Sequence, residues 1–222
     1  MFAEAVRSGA LTVLKTLGSV EDFHALGFYL AGGTGLALQL GHRVSADLDF
    51  FTEKSFTPET VVRLLAGRLA ATVAGTAPGT LHALCGEGIK TSFFFYPYRL
   101  LYPLIPFQGC FIADWRDIAA MKLVALSQRG TKKDFVDLFF LLRDKLTLAD
   151  FKTLVEQKFT GIRYNWTHII RSLGYFEEAE NDPMPLMATS KEIRDLTLRE
   201  WREIKQFFKE LQKEALRQIQ QG

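Results

Sequence analysis

The chain has 222 residues, is 48% hydrophobic and carries a formal net charge of +2, which suits one large domain, or one domain with a helical extension, around a substantial core. No apolar run approaches the roughly 20 residues that span a bilayer, and Met1-Phe2-Ala3-Glu4 lacks the basic-then-apolar pattern of a signal peptide, so a cytoplasmic location without membrane contact is expected. Cys85 and Cys110 have neither CxxC spacing nor a nearby His cluster and read as small reduced hydrophobes, while the small net charge neither demands nor forbids a nucleic-acid partner.

In chain order, the pattern predicts a helix over 2–17, a strand over 28–31 ending at Gly32-Gly33, and a short apolar helix over 34–40 stopped by Gly41. A strand over 48–51 follows, then a helix from about Pro58 to Ala71 with Thr57 as N-cap, and two strands over 80–84 and 89–96. From Asp114 onward the periodicity is helical: 115–128, 132–143, 148–159, roughly 166–179 and a final helix near 190–220. Asn181-Asp182-Pro183-Met184-Pro185 breaks that pattern and is read as a linker. The last helix sets Leu198, Trp201, Ile204, Phe208 and Leu211 on one stripe. The fold class is therefore α+β: a small sheet domain over residues 1–112 and a helical domain over 113–222.

Gly32-Gly33-Thr34 is a candidate phosphate site. Glycine lets backbone approach an anion closely, and a helix opening at Thr34 points free N–H groups and a positive dipole end at it. The bland competitor is an ordinary strand-to-helix turn with Thr34 as N-cap. In Asp47-Leu48-Asp49 the two acids flank one apolar residue, so on a strand both carboxylates share a face and Leu48 enters the core, a platform for Mg²⁺ and a nucleoside triphosphate. The competitor is an acid that caps or pairs with Arg43. Arg43 and Ser45 offer a fork of donors and a hydroxyl to phosphates, against the alternative of a solvated loop; His42 reads as a surface residue.

Lys122 lies in the apolar run Ala119-Ala120-Met121-Lys122-Leu123-Val124-Ala125-Leu126, so its ammonium needs an anionic partner. Arg129 follows two turns later on the same side. Asp134 and Asp137 share one face of the next helix, although Thr131-Lys132-Lys133-Asp134 also reads as a capping box. The aromatic run 93–98 reads as a strand buried on both faces rather than a base-stacking surface.

Three separated stretches, residues 31–51, 117–122 and 129–138, agree in order and spacing with the AbiEii/AbiGii-type nucleotidyltransferases, the toxin halves of bacterial abortive-infection toxin–antitoxin pairs within the polymerase-β-like superfamily. The chain resembles that family from about Phe28 to Leu142. The resemblance implies a polymerase-β-like sheet domain followed by a helical domain that closes the cleft. It implies Mg²⁺-dependent transfer of a nucleoside monophosphate from a triphosphate to a hydroxyl, with the 3′ end of tRNA as acceptor and a DNA-binding regulator as antitoxin. It assigns Asp47 and Asp49 to the metal, Gly32, Gly33, Thr34, Arg43 and Ser45 to the nucleotide, and Lys122 to nucleotide binding or catalysis. Asp134 becomes a catalytic-site carboxylate that takes a proton from the acceptor or positions Lys122, with Asp137 behind it.

One departure stands out. The wider superfamily often carries a third carboxylate on a later strand, and Ile89-Lys90-Thr91-Ser92-Phe93-Phe94 has no acid, although Lys90 and Ser92 share a face there. Either Asp134 or another helical acid replaces that carboxylate, or the chain is a catalytically weak nucleotide-binding module; a small-molecule, antibiotic-type nucleotidyltransferase is a separate alternative.

Overall fold

The computed structural model describes residues 1–188 and 192–221, which divide into two compact units, Met1–Ile118 and Ala119–Gly222. The first unit opens with one 3₁₀ turn at Ala3–Ala5 and an extended Val6 and Arg7 before helix α1 (Ser8–Gly18), not with the continuous helix expected from Phe2. Backbone pairing overrides the helical pattern there: the Ser45 N–H donates to Ala5 (2.9 Å) and the Arg7 N–H to Ser45 (3.2 Å). Next come α2 (Glu21–Ala25), β1 (Tyr29–Leu30), α3 (Gly32–Leu40), β2 (Leu48–Thr52) and α4 (Pro58–Leu65). Gly41 ends α3 in the left-handed conformation (φ +65°), and α4 begins at Pro58 as expected.

The sequence places α4 too long and misses the strand after it. The helix ends at Leu65, and Ala71, its expected last residue, instead opens β3 (Ala71–Ala77), followed by β4 (Thr80–Cys85) and β5 (Ile89–Phe95). β3 is exposed along nearly its whole length and sits at the sheet's edge, so neither of its faces has the apolar alternation that marks a strand. A second unforeseen hairpin, β6 (Ile105–Phe107) and β7 (Cys110–Ile112), turns through Gln108 and Gly109, both at positive φ.

These strands form one sheet in the order β3-β4-β5-β2-β1-β7-β6. At its centre β2 pairs antiparallel with β1 and parallel with β5. Leu48, Phe50 and Thr52 are buried while Asp49 and Phe51 alternate to the other face. The buried face packs on α1, α2 and α4 through Leu14, Phe23, Val61 and their neighbours. Phe23 meets Phe50 edge-on at 5.1 Å and Phe50 stacks on Phe93 at 5.5 Å, contacts that pin β2 and β5 in depth. Both cysteines are free and buried. The Cys110 thiol donates to the Leu14 carbonyl (3.1 Å), and burial pushes its pKa up to about 12, so it is an unreactive core group.

Helix α5 (Trp115–Gln128) carries the chain across the division. The second unit holds α6 (Lys132–Asp144), α7 (Leu148–Lys158), α8 (Trp166–Ser172), α9 (Glu177–Glu180), a hairpin of β8 (Leu186–Ala188) and β9 (Ile193–Asp195), and α10 (Leu198–Gln221). The single helix expected over 166–179 is broken between Leu173 and Phe176. The last helix starts at Leu198, after the unforeseen hairpin, and its expected start at Ser190 lies outside the described residues. Phe135 anchors this unit, with ring centroids 4.7 Å from Phe176 and 5.2 Å from Phe208. Trp201, Ile204 and Phe208 are buried as the stripe requires, but Leu198 is 65% exposed and falls outside it. Among the described residues no helix is long and apolar enough to cross a membrane.

Candidate functional site

Helix α3 begins at Gly32, two residues earlier than the sequence suggests, so Thr34 is not its N-cap. Ala31 occupies that position and no side chain caps the helix. The Thr34 hydroxyl instead reaches Ser45 Oγ (2.8 Å) and the Asp47 carbonyl. Gly32 has φ +59°, and a Cβ built there would lie 2.6 Å from Asp49 Oδ2. The Asp49 carboxylate therefore rests against bare glycine backbone. A Cβ on Gly33 would fall on the Arg43 guanidinium, with Ser45 Oγ at 3.5 Å. Both glycines bring side chains close to bare backbone, and Gly32 is also favoured by its backbone conformation.

The segment between α3 and β2 is not a solvated loop. His42, Arg43 and Ser45 are buried, which corrects the surface reading of His42. The Ser45 backbone is held by Ala5 and Arg7, and Arg43 Nη1 donates to the Val44 carbonyl (3.3 Å). The Ala31 N–H donates to the Asp49 carbonyl (3.0 Å), fixing the end of β1, where the nest begins, against β2. Gly32, Gly33, Thr34, Arg43, Ser45, Asp49 and the Asp47 carbonyl thus meet around one helix N-terminus, whose dipole and amide groups favour an anion.

The sheet continues this site sideways. Asp49 is in register with Ser92 on β5, and Ser92 with His82 on β4. His82 Nδ1 and Ser92 Oγ are hydrogen-bonded at 3.0 Å. β5 is buried on one face only, through Thr91 and Phe93, while Lys90 and Phe95 are exposed. That corrects the expectation of a strand buried on both faces.

Within the second unit, Lys122 Nζ lies 2.7 Å from Asp134 Oδ1 and 2.8 Å from Asp137 Oδ2. Asp134 and Asp137 of α6 thus partner it, and the Asp137 side chain is fully buried. Asp134 Oδ2 accepts from the Thr131 hydroxyl (2.6 Å), whose oxygen caps the Asp134 N–H (3.3 Å). The capping and functional readings of Asp134 therefore coexist: the carboxylate locks a helix start and holds Lys122. Arg129 is exposed just past the end of α5. Asp117 accepts from the Leu101 and Tyr102 N–H groups (3.0 Å each), so this buried acid of the second motif anchors a loop. Neither His82 nor the role of Asp117 is evident from the sequence alone.

The sequence pattern of the nucleotidyl transferase AbiEii toxin family, type IV toxin–antitoxin systems, matches residues 15–84 and 96–221. The chain belongs to this family. It is a nucleotidyltransferase of the toxin class. It is also 39% identical over 212 residues to an uncharacterized protein of Aquifex aeolicus (strain VF5), covering 93% of this chain and 94% of that one. Among solved structures it resembles JHP933 from Helicobacter pylori (16% identity, TM-score 0.53, 95% and 93% of the two chains). It likewise resembles the nucleotidyltransferase toxin MenT4 from Mycobacterium tuberculosis H37Rv (15%, TM-score 0.54, 93% and 86%). At these identities the likeness is one of fold: a mixed α+β architecture with the polymerase-β-like sheet.

The donor set by the nest suits Mg²⁺. Among the described residues no three His, Cys, Asp or Glu side chains group to hold a metal unaided. Mg²⁺ commonly takes one or two carboxylates and completes its shell with water and substrate phosphates, which the Asp49 carboxylate beside an anion nest, with Asp47 two residues before it, allows.

Proposed function

We propose that this member of the family transfers a nucleoside monophosphate from a triphosphate to the 3′-terminal hydroxyl of tRNA, releasing pyrophosphate and arresting translation. Its genetic counterpart is a DNA-binding antitoxin, in keeping with the type IV toxin–antitoxin family. The observation that carries the reading is the Asp49 carboxylate lying 2.6 Å from where a Gly32 Cβ would be, at the uncapped start of α3. An acid and an anion-binding helix start side by side suit a cation-bridged phosphate and little else. Asp47 and Asp49 would hold Mg²⁺, which supplies charge neutralisation at the phosphates. The α3 N–H groups, Arg43 and the Ser45 hydroxyl bind and orient the triphosphate. Lys122, assigned by its motif, adds a cation whose direction Asp134 and Asp137 fix.

Purified protein incubated with each labelled triphosphate, Mg²⁺ and total RNA tests this. Label is expected in tRNA and to disappear with EDTA. Label in a small product would move the assignment to an antibiotic-type enzyme, and none in any acceptor would reduce the chain to a nucleotide binder.

A further inference from the structure

Phosphoryl transfer places the attacking and leaving oxygens on opposite sides of the phosphorus. The nest that would hold the leaving pyrophosphate begins at the end of β1, on one side of Asp49. The acceptor hydroxyl must then arrive from the other side, over β5 and β4. The row next to Asp49 on that side is Ser92 and then His82, in register across adjacent strands spaced roughly 4.8 Å apart. His82 is exposed, and its Nδ1 is engaged by Ser92 Oγ at 3.0 Å. With Nδ1–H donating to Ser92, Nε2 is the nitrogen left to accept a proton.

The acid expected to serve as base is otherwise occupied. Asp134 has one oxygen on the Lys122 ammonium and the other on the Thr131 hydroxyl. With a donor on each oxygen, this carboxylate is placed to position Lys122.

We propose that His82, oriented by Ser92, is the general base that takes the acceptor's proton, an inference that rests on the nucleotidyl-transfer reading above. The acceptor oxygen forms a bond to the α-phosphorus as its proton passes to His82 Nε2. The bond from the α-phosphorus to the bridging oxygen breaks, and pyrophosphate departs with that electron pair. Other groups facing His82 do not compete as bases. Its β3 partner is Gly75, the Phe94 ring lies edge-on at 5.6 Å, and Lys90, two residues from Ser92 on β5, is a cation. Asp49 is given to the metal.

The test compares wild type, His82→Gln, His82→Ala and Ser92→Ala, with total tRNA as acceptor and each labelled triphosphate as donor. His82→Gln is expected to lower kcat by about 10²- to 10⁴-fold while leaving the triphosphate KM and the melting temperature near wild type, since His82 is on the surface. Added imidazole is expected to restore part of the His82→Ala rate, and Ser92→Ala to lose about tenfold through misorientation. Transfer by His82→Gln within about twofold of wild type overturns the proposal, as does a loss confined to KM or an absence of imidazole rescue. Those results leave the transfer reading standing. A wild-type protein that labels no acceptor at all overturns both.

Discussion

The two polar centres of this protein are built on opposite principles. Around Gly32, side chains are placed by backbone: β1 and β2 pair at Ala31 and Asp49, two missing Cβ atoms make room, and a helix start supplies donors. Around Lys122, side chains are placed by one another, an ammonium between two carboxylates, one of them also tied to a helix cap. The first arrangement leaves the amides of a helix start without a side-chain cap. The second neutralises much of its own charge and so acts chiefly to hold a lysine in one direction. Burial of charge by itself therefore separates function from structure poorly; whether a helix start is left without a side-chain cap beside charged groups separates them better.

That contrast is sharpest at Asp49. Asp49→Asn is expected to cut transfer by at least about 10³-fold, some 4 kcal/mol of transition-state stabilisation, with the melting temperature unchanged or higher because repulsion from Asp47 is relieved. Wild-type turnover in that variant, measured by label incorporation, would remove the metal assignment. Lys122→Ala should show the reverse balance. It leaves Asp134 and Asp137 facing each other without their cation, at a cost of about 3 kcal/mol, seen as a fall in melting temperature of roughly 6–12 °C, along with a raised triphosphate KM. If stability held while KM rose, the trio would be more ligand site than structure.

Gly32→Ala probes the room itself. A Cβ at φ +59° and 2.6 Å from Asp49 Oδ2 should destabilise by about 1–3 kcal/mol and displace the acid, so that activity falls further than stability explains. Equal activity per folded molecule would deny the close approach any role.

The smallest effect belongs to an ion pair at the start of α10. Arg194, ahead of Thr197, draws the Glu200 carboxyl down to about 2. A depressed acid stabilises the fold above the ordinary carboxylate range and loses that contribution as pH falls toward about 2. The pair is partly exposed, so its worth is under about 1 kcal/mol. Glu200→Gln should flatten the stability profile of acid unfolding over that window and leave transfer at neutral pH untouched. A change in transfer would tie α10 to the chemistry.

Much of this was legible in advance where a local rule operates. Thr57-Pro58 starts a helix, Gly41 stops one, and Leu48 and Asp49 alternate across a strand as its period demands. The misses have physical causes. β3 has no buried face to pattern it, and the N-terminal segment gave up its first helical turns to pair with the Ser45 backbone. Thr34 satisfies every local criterion for a cap yet turns its hydroxyl to Ser45 and Asp47, because the helix starts earlier on glycine.

From its order of residues alone this chain fixes an acid pair, a glycine turn and a lysine that needs an anion, since each is set by short-range geometry or by charge in an apolar run. Only the tertiary structure decides that Asp134 and Asp137 answer that lysine, and that Ser92 and His82 stand in the same row as Asp49. Strand register and helix docking join residues dozens of positions apart, and a slip of one residue would send every one of those strand side chains to the opposite face.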